Sequence, residues 1–433
     1  MNSHPALRLA YVGDDFTGST DALDVLSRAG LRTALFLEPP SLETLRRHGS
    51  LEAIGVATAT RALNPRDMET RLRPVFGALK QLGPRHVHYK VCSTFDSSPH
   101  VGSIGRAIEL GRETFPSTWT PLVVGAPALG RYCVFGNLFA RYGIGSAGAI
   151  HRLDRHPAMQ RHPVTPADES DLRLHLGHQT RLRIGLLDIL TLEKPADDRR
   201  SAVSAAVQAG AEIVLFDLLS PSQLAGIGDL IDGAVVQAPL FSAGSSGVEM
   251  ALAAHWSQTG AIRRSASWPT PRAVGPLLVL SGSCSSVTAG QIAWAEAHGF
   301  VSVPADPAAR VENETTDRVL AALRQGKPTI VHTGRCETTA TVSPEVVGGL
   351  LGRIALRAVE ELQLPRVLVA GGDTSSYAAR ALGIEALTML APLAPGAPLC
   401  AVHAPGRAVH GLEINFKGGQ VGAPDYLGLL AAA

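Results

Sequence analysis

Two adjacent carboxylates stand in the first polar turn of the chain. In GDDFTGSTD (Gly13 to Asp21), Asp14 and Asp15 follow a short apolar run, the place where an α/β sheet shows polar groups to a ligand. Neighbouring carboxylates repel, so the pair requires burial or a nearby cation. Adjacent side chains diverge, which fits them for different tasks: one accepts a proton from a substrate hydroxyl while the other holds a hydroxyl or an ion. The competing assignment is a helix cap, a role that Thr17 or Ser19 would fill equally well. A DxDxT phosphatase loop is excluded, because Phe16 stands where its second aspartate belongs.

Two cations follow at later strand ends, Arg61 in VATATR and Lys90 in HVHYKVCSTFDSS. Arginine offers a planar fork for a carboxylate and lysine a compact point charge. Ser93, Thr94 and Asp96 lie just beyond Lys90 and are suited to hydroxyl groups or to turns. Together these residues describe a pocket for a small polyhydroxy acid. The second half carries three glycine-rich turns instead: SGSCSS at Ser281, Gly282 and Ser283; GGDTSS at Gly371, Gly372, Asp373 and Thr374; and KGGQVG at Lys417, Gly418 and Gly419. Backbone N–H groups at such strand-to-helix turns face anions. One turn of this kind is ordinary loop chemistry, but three with a lysine point to a polyphosphate. Neither GxxxxGK(S/T) nor a strand-linked GxGxxG occurs, so the site is neither a P-loop nor a dinucleotide fold of the usual kind.

The elements that must position these groups alternate. Apolar runs at Leu7 to Val12, Leu51 to Ala57, His86 to Val91, Leu122 to Val124, Ile213 to Phe216, Leu277 to Leu280, Thr329 to His332 and Val367 to Ala370 read as strands, each followed by a polar or glycine-rich turn. Asp21 to Ala29 has helical spacing and stops at Gly30. This pattern predicts an α/β protein of two domains, each with a mainly parallel sheet flanked by helices and with ligands bound beyond the carboxyl ends of the strands. The small, flexible-looking SAGSSG and the Pro/Gly-containing stretch to Gly275 set the boundary. The expected division is residues 1–240, a linker at 241–275, and 276–433.

The 433 residues are enough for two or three domains. Lys and Arg number 39 against 38 Asp and Glu, leaving a formal charge of +1 and no basic patch for nucleic acid. No apolar run reaches the length of a membrane span or a signal core, so a soluble cytoplasmic enzyme is expected. The five cysteines form no CxxC pair and no evident disulfide framework. Among the fifteen histidines, His86 and His88 alternate along one strand, and His151, His156 and His162 show no HExxH spacing; these read as surface or satisfied side chains. HPVTP (His162 to Pro166) reads as a rigid structural bend.

In order and combination, DDFTGSTD, KVCSTFDSS, GAPALGRYCVFGNLF, HPVTP, LSGSCS, GGDTS and KGGQVG resemble the four-carbon acid sugar kinases over nearly the whole chain. The resemblance implies a sugar-acid-binding N-terminal domain, an ATP-binding C-terminal domain, an active site in the interdomain cleft, and Mg²⁺ accompanying the nucleotide. It implies substrate contacts from Asp14, Asp15, Arg61 and the Lys90 to Thr94 segment. ATP contacts are implied from Ser281, Ser283, Gly371 to Thr374 and Gly418. The chain departs from the family where GGDTSS replaces GGETSG, where Val421 stands near an aromatic position, and where Ala167 follows HPVTP in place of Met. The expected reaction is transfer of the ATP γ-phosphoryl group to the terminal hydroxyl of threonate, erythronate or an oxo-tetronate. Arg61 would clamp the carboxylate, Lys90 would hold developing charge, and Asp15, with Asp14 the other candidate, would act as base. A dehydrogenase or aldolase of small hydroxy acids and a sugar-acid sensor are the alternatives. Assembly into a homo-oligomer is left open.

Overall fold

The computed structural model describes residues 7–143, 147–162, 164–236, 239–263, 267–273, 275–307, 312–334 and 342–432. Cys336, Pro163 of HPVTP and parts of the expected linker lie outside them. The chain divides into two compact units, Met1–Tyr142 with Ala147–Ala266, and Ser267–Ala433 with Gly143–Ser146.

The first unit contains β1 (Leu9–Gly13), β2 (Thr33–Phe36), β3 (Ala53–Ala57), β4 (His86–Lys90), β5 (Thr120–Val123), β6 (Arg131–Val134), β7 (Asn137–Arg141), β8 (Ile150–Arg152), β9 (Ile184–Leu187), β10 (Ile213–Phe216) and β11 (Leu240–Gly244). One parallel sheet runs β2-β3-β1-β4-β11-β5-β10-β9. Its central strands are continuous buried runs such as LAYVG and AIGVA, as expected of a sheet covered on both faces. Helix Phe16–Arg28 buries Ala22, Leu23 and Leu26, which recur at helical spacing. β6, β7 and β8 form a separate antiparallel sheet.

The register of the central strands decides where the chemistry sits. Gly13 of β1 pairs with Ala57 of β3 and with Lys90 of β4, and Lys90 pairs with Gly244 of β11. Four strands therefore end level, and the segments that follow them share one edge. The chain also crosses from β3 to β4 over β1, so this edge is the switch point where open α/β sheets bind ligands. The SAG residues that look flexible in the sequence form the buried end of β11, between β4 and β5. Helix Gly247–Gln258 follows in the same unit.

The second unit contains β12 (Leu278–Ser281), β13 (Val301–Pro304), β14 (Thr329–His332), β15 (Arg366–Ala370), β16 (Ala386–Ala394), β17 (Ala397–His403) and β18 (Glu413–Lys417). Its strands run in the order β13-β14-β12-β15-β18-β17-β16, parallel up to β18 and antiparallel beyond it. Ser281 pairs with Ala370, and Ala370 pairs with Lys417. The same logic thus brings the ends of β12, β15 and β18 level. A core of Leu277, Val279, Ile330, Leu368 and Leu399, among others, lies beneath them. The two mainly parallel, helix-flanked sheets agree with the fold expected from the sequence.

Candidate active site

At the β1 turn the two aspartates have opposite environments. Asp15 is the N-cap of helix Phe16–Arg28. Its Oδ1 accepts from the Gly18 N–H at 2.8 Å, and its Oδ2 accepts from Thr17 Oγ1 at 3.0 Å. The same Oδ2 lies 3.0 Å from Arg61 Nη1. Burial alone would raise its pKa, but Arg61, Lys90 and these hydrogen bonds outweigh it and hold Asp15 below the usual carboxylate range. The capping role and the site role therefore fall on one residue. Asp14 is as deeply buried, and its Oδ1 has no hydrogen-bond partner among the described residues. Burial first, and the neighbouring Asp15 charge second, push its pKa up to about 8.

Arg61 follows the β3 turn in a short helical segment, Thr60–Ala62, entered through Ala59 in the left-handed region (φ 57°). Its backbone N–H donates to Asp14 O at 3.0 Å, which fastens the β3 turn to the β1 turn. Arg61 Nη1 also lies 3.9 Å from Asp96 Oδ2. Asp15 and the other acidic groups around it keep the guanidinium charged against the cost of burial. Lys90 ends β4 and is almost wholly buried. Its Nζ donates to Val91 O at 3.0 Å and lies 3.5 Å from Asp21 Oδ2. Burial would lower its pKa, but Asp21, Asp15 and Glu249 raise it above the lysine value. A side chain at Gly18 would strike the Asp15 carboxylate and come within 3.2 Å of Lys90 Nζ, so the helix can approach this cluster only through glycine. Ser93 and Thr94 are buried in the loop after β4, where Thr94 Oγ1 lies 2.9 Å from Cys92 Sγ.

Three residues that sequence reasoning gave no role belong to this neighbourhood. Asp21, the last residue of the first motif, reaches Lys90 from one helical turn past Gly18. Glu249 is fully buried on helix Gly247–Gln258, with neither carboxylate oxygen hydrogen-bonded among the described residues. It lies 3.6 Å from His88 Nε2. Burial raises Glu249 to about 8 and lowers His88 to about 3, so the pair is largely neutral behind Lys90. Glu249 left no signal in GVEMALAAHW, which reads as an ordinary buried helix. Of the surface and satisfied placements left open by the sequence, His86 and His88 take the second: both are buried, His86 Nε2 bonded to Asp232 at 2.8 Å and His88 Nδ1 to Ser242 Oγ at 3.1 Å.

In the second unit the three turns converge. Gly371 has φ 121°, and a side chain there would lie 2.9 Å from Thr374 Oγ1 and 3.4 Å from Ser283 N. One on Gly419 would meet Ser283 Oγ at 2.6 Å and Ser285 Cβ at 2.9 Å. The Gly282 N–H donates to Ala370 O, the Gly371 N–H to Lys417 O, and Thr288 Oγ1 to Gly419 O. Gly418 accepts from the Val421 N–H, while Gly372 and Asp373 open helix Gly372–Ala381, Asp373 being exposed. Lys417 is fully buried, and its Nζ bonds Thr288 Oγ1 at 3.1 Å. No carboxylate pairs with it among the described residues, and burial alone drops its pKa to about 7. Ser281 Oγ is likewise buried without a partner among the described residues. A buried amine bonded to Thr288, with close-packed glycine turns in the same unit, has the chemistry to receive anionic oxygen. The cysteines hold one departure from expectation: Cys284, in the first of these turns, is disulfide-bonded, whereas Cys92, Cys133 and Cys400 are not in disulfides. Motif spacing carried no trace of that bond, because a disulfide depends on proximity in the fold.

Comparison with known proteins fits this division of labour. A family model described as a sugar-binding N-terminal domain matches residues 9–252, and one described as a nucleotide-binding C-terminal domain matches residues 278–427. The 3-oxo-isoapionate kinase of Paraburkholderia graminis is 42% identical, over 98% of this chain and 94% of its own. The chain belongs to this family of sugar-acid kinases. A 3-oxo-tetronate kinase of Pseudomonas fluorescens is 30% identical, over 98% of this chain and 96% of its own. A solved protein from Salmonella typhimurium LT2 superposes with a TM-score of 0.75 at 25% identity, covering 97% of this chain and 98% of that one. This sugar-acid kinase is thus an ATP-dependent enzyme, and the dehydrogenase, aldolase and sensor alternatives find no support among these relatives. No described helix is long and apolar enough to cross a membrane.

Proposed function

We propose that the enzyme transfers the γ-phosphoryl group of ATP to the terminal hydroxyl of a short 3-oxo sugar acid, with Asp14 as the base. The observation that carries this reading is the split between the two aspartates. Asp15 has its oxygens committed to Gly18, Thr17 and Arg61. Asp14 keeps a buried oxygen unspent and titrates near 8. Two carboxylates driven apart in pKa mark an acid–base assignment, and a base poised near the working pH is the more effective one. The order of preference reached from sequence, Asp15 before Asp14, is therefore inverted. Asp15 becomes the group that holds Arg61 in place for the substrate carboxylate, and Lys90 sets positive charge beside the attacking oxygen.

The N-terminal unit supplies the acceptor half of the reaction and the C-terminal unit the donor half, through Ser281, Gly282, Ser283, Gly371, Gly372, Asp373, Thr374, Lys417, Gly418 and Gly419. Lys417 and the turn N–H groups would take the phosphate oxygens. Positioning and charge stabilisation supply most of the acceleration for a loose phosphoryl-transfer state. For Mg²⁺, no group of three or more His, Cys, Asp or Glu able to hold a metal occurs among the described residues. That donor set does not fit a protein cage for the ion. It agrees with an ion carried on the triphosphate, and no step is assigned to it. An enzyme that consumes ATP belongs in the cytoplasm, where ATP is supplied.

The first acids to test are those named for the relatives, 3-oxo-isoapionate at 42% identity and 3-oxo-tetronate at 30%. ADP release is measured with each acid for the wild type, Asp14→Asn and Asp15→Asn. Asp14→Asn should lose about 10²-fold or more in kcat while ATP affinity is kept, the scale of a general base. Asp15→Asn should mainly raise the KM for the acid. Normal turnover in folded Asp14→Asn would remove Asp14 from the chemistry.

A further inference from the structure

Besides Arg61 and Lys90, another cation is buried where the acceptor strands end. Gly244 of β11 pairs with Lys90 of β4 on one side and with Val123 of β5 on the other, so β5 ends level with them. The chain then turns back at Ala126, whose backbone exchanges two hydrogen bonds with that of Arg131, at 2.9 and 3.2 Å. From there β6 alternates, Arg131 and Cys133 being buried and Tyr132 and Val134 half-buried. Cys133 is bridged to Leu218, just past β10, so the inner face of β6 lies against the ends of β5 and β10. Arg131 is only 3% exposed, yet it makes no ion pair among the described residues. Its Nη1 is spent on three carbonyls, donating to Leu129 O at 3.1 Å, Gly130 O at 3.4 Å and Arg141 O at 3.0 Å. Its Nε is buried with no hydrogen-bond partner among the described residues. A second orphan lies on the same segment: Ser245 Oγ donates to Val124 O at 2.7 Å, while the Oγ of the next residue, Ser246, is buried without a partner among the described residues.

A buried guanidinium without a counter-charge is costly unless a ligand supplies one. Arg61 and Lys90 each already face an aspartate, Asp15 and Asp21; Arg131 does not. Burial lowers its pKa, against the weaker opposing influence of Cys92, Asp96, Tyr132 and Asp21. Cys92 and Asp96 act on Arg61 as well, so the loop after β4 is a common neighbour of the two arginines. His156, after β8, supplies no counter-charge, since burial first and the Arg131 charge second lower its pKa. With Nη1 committed, what the fork has left is the edge formed by Nε and Nη2, and two parallel N–H donors of this kind dock a carboxylate bidentately. We infer that Arg131 is a specificity-determining residue that takes the substrate carboxylate side-on through Nε and Nη2 and shares it with Arg61. The enzyme thereby selects a carboxylate over a neutral group at that end of the substrate, because a neutral group would leave the buried cation unpaired.

The inference rests on the kinase reading, and the experiment separates the two. ADP release by the full chain is measured with 3-oxo-isoapionate and 3-oxo-tetronate, each beside its primary amide, for the wild type, Arg131→Gln and Arg131→Lys. The wild type should prefer acid over amide in kcat/KM. In Arg131→Gln that preference should shrink by about tenfold or more, the scale of a charge-assisted hydrogen bond, through the KM for the acid and with the KM for ATP in place. Arg131→Lys keeps a donor for the three carbonyls, and with it the turn, but has no Nε–Nη2 edge, so it should lose the preference too; it decides the matter where Arg131→Gln fails to fold. A wild-type preference in Arg131→Lys, or a parallel loss on acid and amide in either folded variant, would overturn the assignment of Arg131 and leave the kinase standing. ADP release stimulated by none of these compounds in the wild type would overturn the kinase reading and the role of Arg131 with it.

Discussion

Lys417 offers the most direct test of the donor half-site. Burial lowers its pKa from 10.5 to about 7, and no carboxylate among the described residues compensates. Phosphate oxygens stabilise only the ammonium form, so nucleotide binding must raise that pKa and take up a proton. The sign follows. Below pH 7 the lysine is already charged and affinity is flat; above it, each pH unit removes up to about tenfold of the binding-competent form, or about 1.4 kcal/mol. Between pH 7.5 and 9, where the phosphates of ADP are ionised, the protonated fraction falls by a factor of about 25, which corresponds to about 1.9 kcal/mol of lost affinity. Titration calorimetry of Mg-ADP in buffers of different ionisation enthalpy should show nearly one proton taken up at pH 8. Lys417→Met should bind weakly with no pH slope, and Lys417→Arg should carry its charge across the whole range and lose the slope while retaining affinity. A wild-type affinity that is flat from pH 7.5 to 9, or a slope that survives in Lys417→Met, would refute the argument that this buried amine meets the phosphates.

The acceptor half makes three further predictions. Because burial and Asp15 raise Asp14 to about 8, kcat/KM for the acid should climb through pH 7 to 8 as Asp14 deprotonates, and the residual activity of Asp14→Asn should lack that rise; stopped ADP-release assays at constant ionic strength measure it. Arg61→Ala should raise the KM for the acid while leaving the KM for ATP in place, since a ground-state carboxylate partner is lost; a shift in the ATP value instead would misassign the two units. Glu249 is raised from 4.5 to about 8 by burial, so the folded chain holds a proton that the unfolded chain releases, and its contribution to stability is lost as pH rises through 8. Glu249→Gln should therefore flatten the decline of Tm between pH 5 and 8 relative to wild type, as read by calorimetry.

The strands that bear the acceptor and donor turns were legible because parallel strands covered on both faces are written as short apolar runs. Leu7 to Val12 became β1, His86 to Val91 became β4 and Val367 to Ala370 became β15, each within a residue or two. β16 and β17 were not, since ALTMLAPLA and APLCAVH carry proline and alternate poorly. The residue types of the proposed site were chosen on the same ground, that polar groups at strand ends face ligands. Their roles were not legible. On the proposed reading, which aspartate serves as base depends on whose oxygens are already spent. That depends on the Gly18 N–H, the Thr17 hydroxyl and the Arg61 fork arriving together at Asp15. Glu249 was hidden likewise, because what distinguishes it is the absence of a partner for its buried oxygens among the described residues.

Register explains why so few residues suffice. With Gly13, Ala57, Lys90 and Gly244 level across four strands, each next residue along the chain is delivered to a common edge without any long-range search. A one-residue slip of β4 against β1 would turn Lys90 to the opposite face of the sheet and strand Asp21 without its cation. The buried ladder that fixes this register is therefore as much a determinant of the chemistry as the charged groups themselves. Substitutions deep in β1 or β4 that disturb pairing, such as Val12→Pro or Val87→Pro, act on the acid site through position and not through contact.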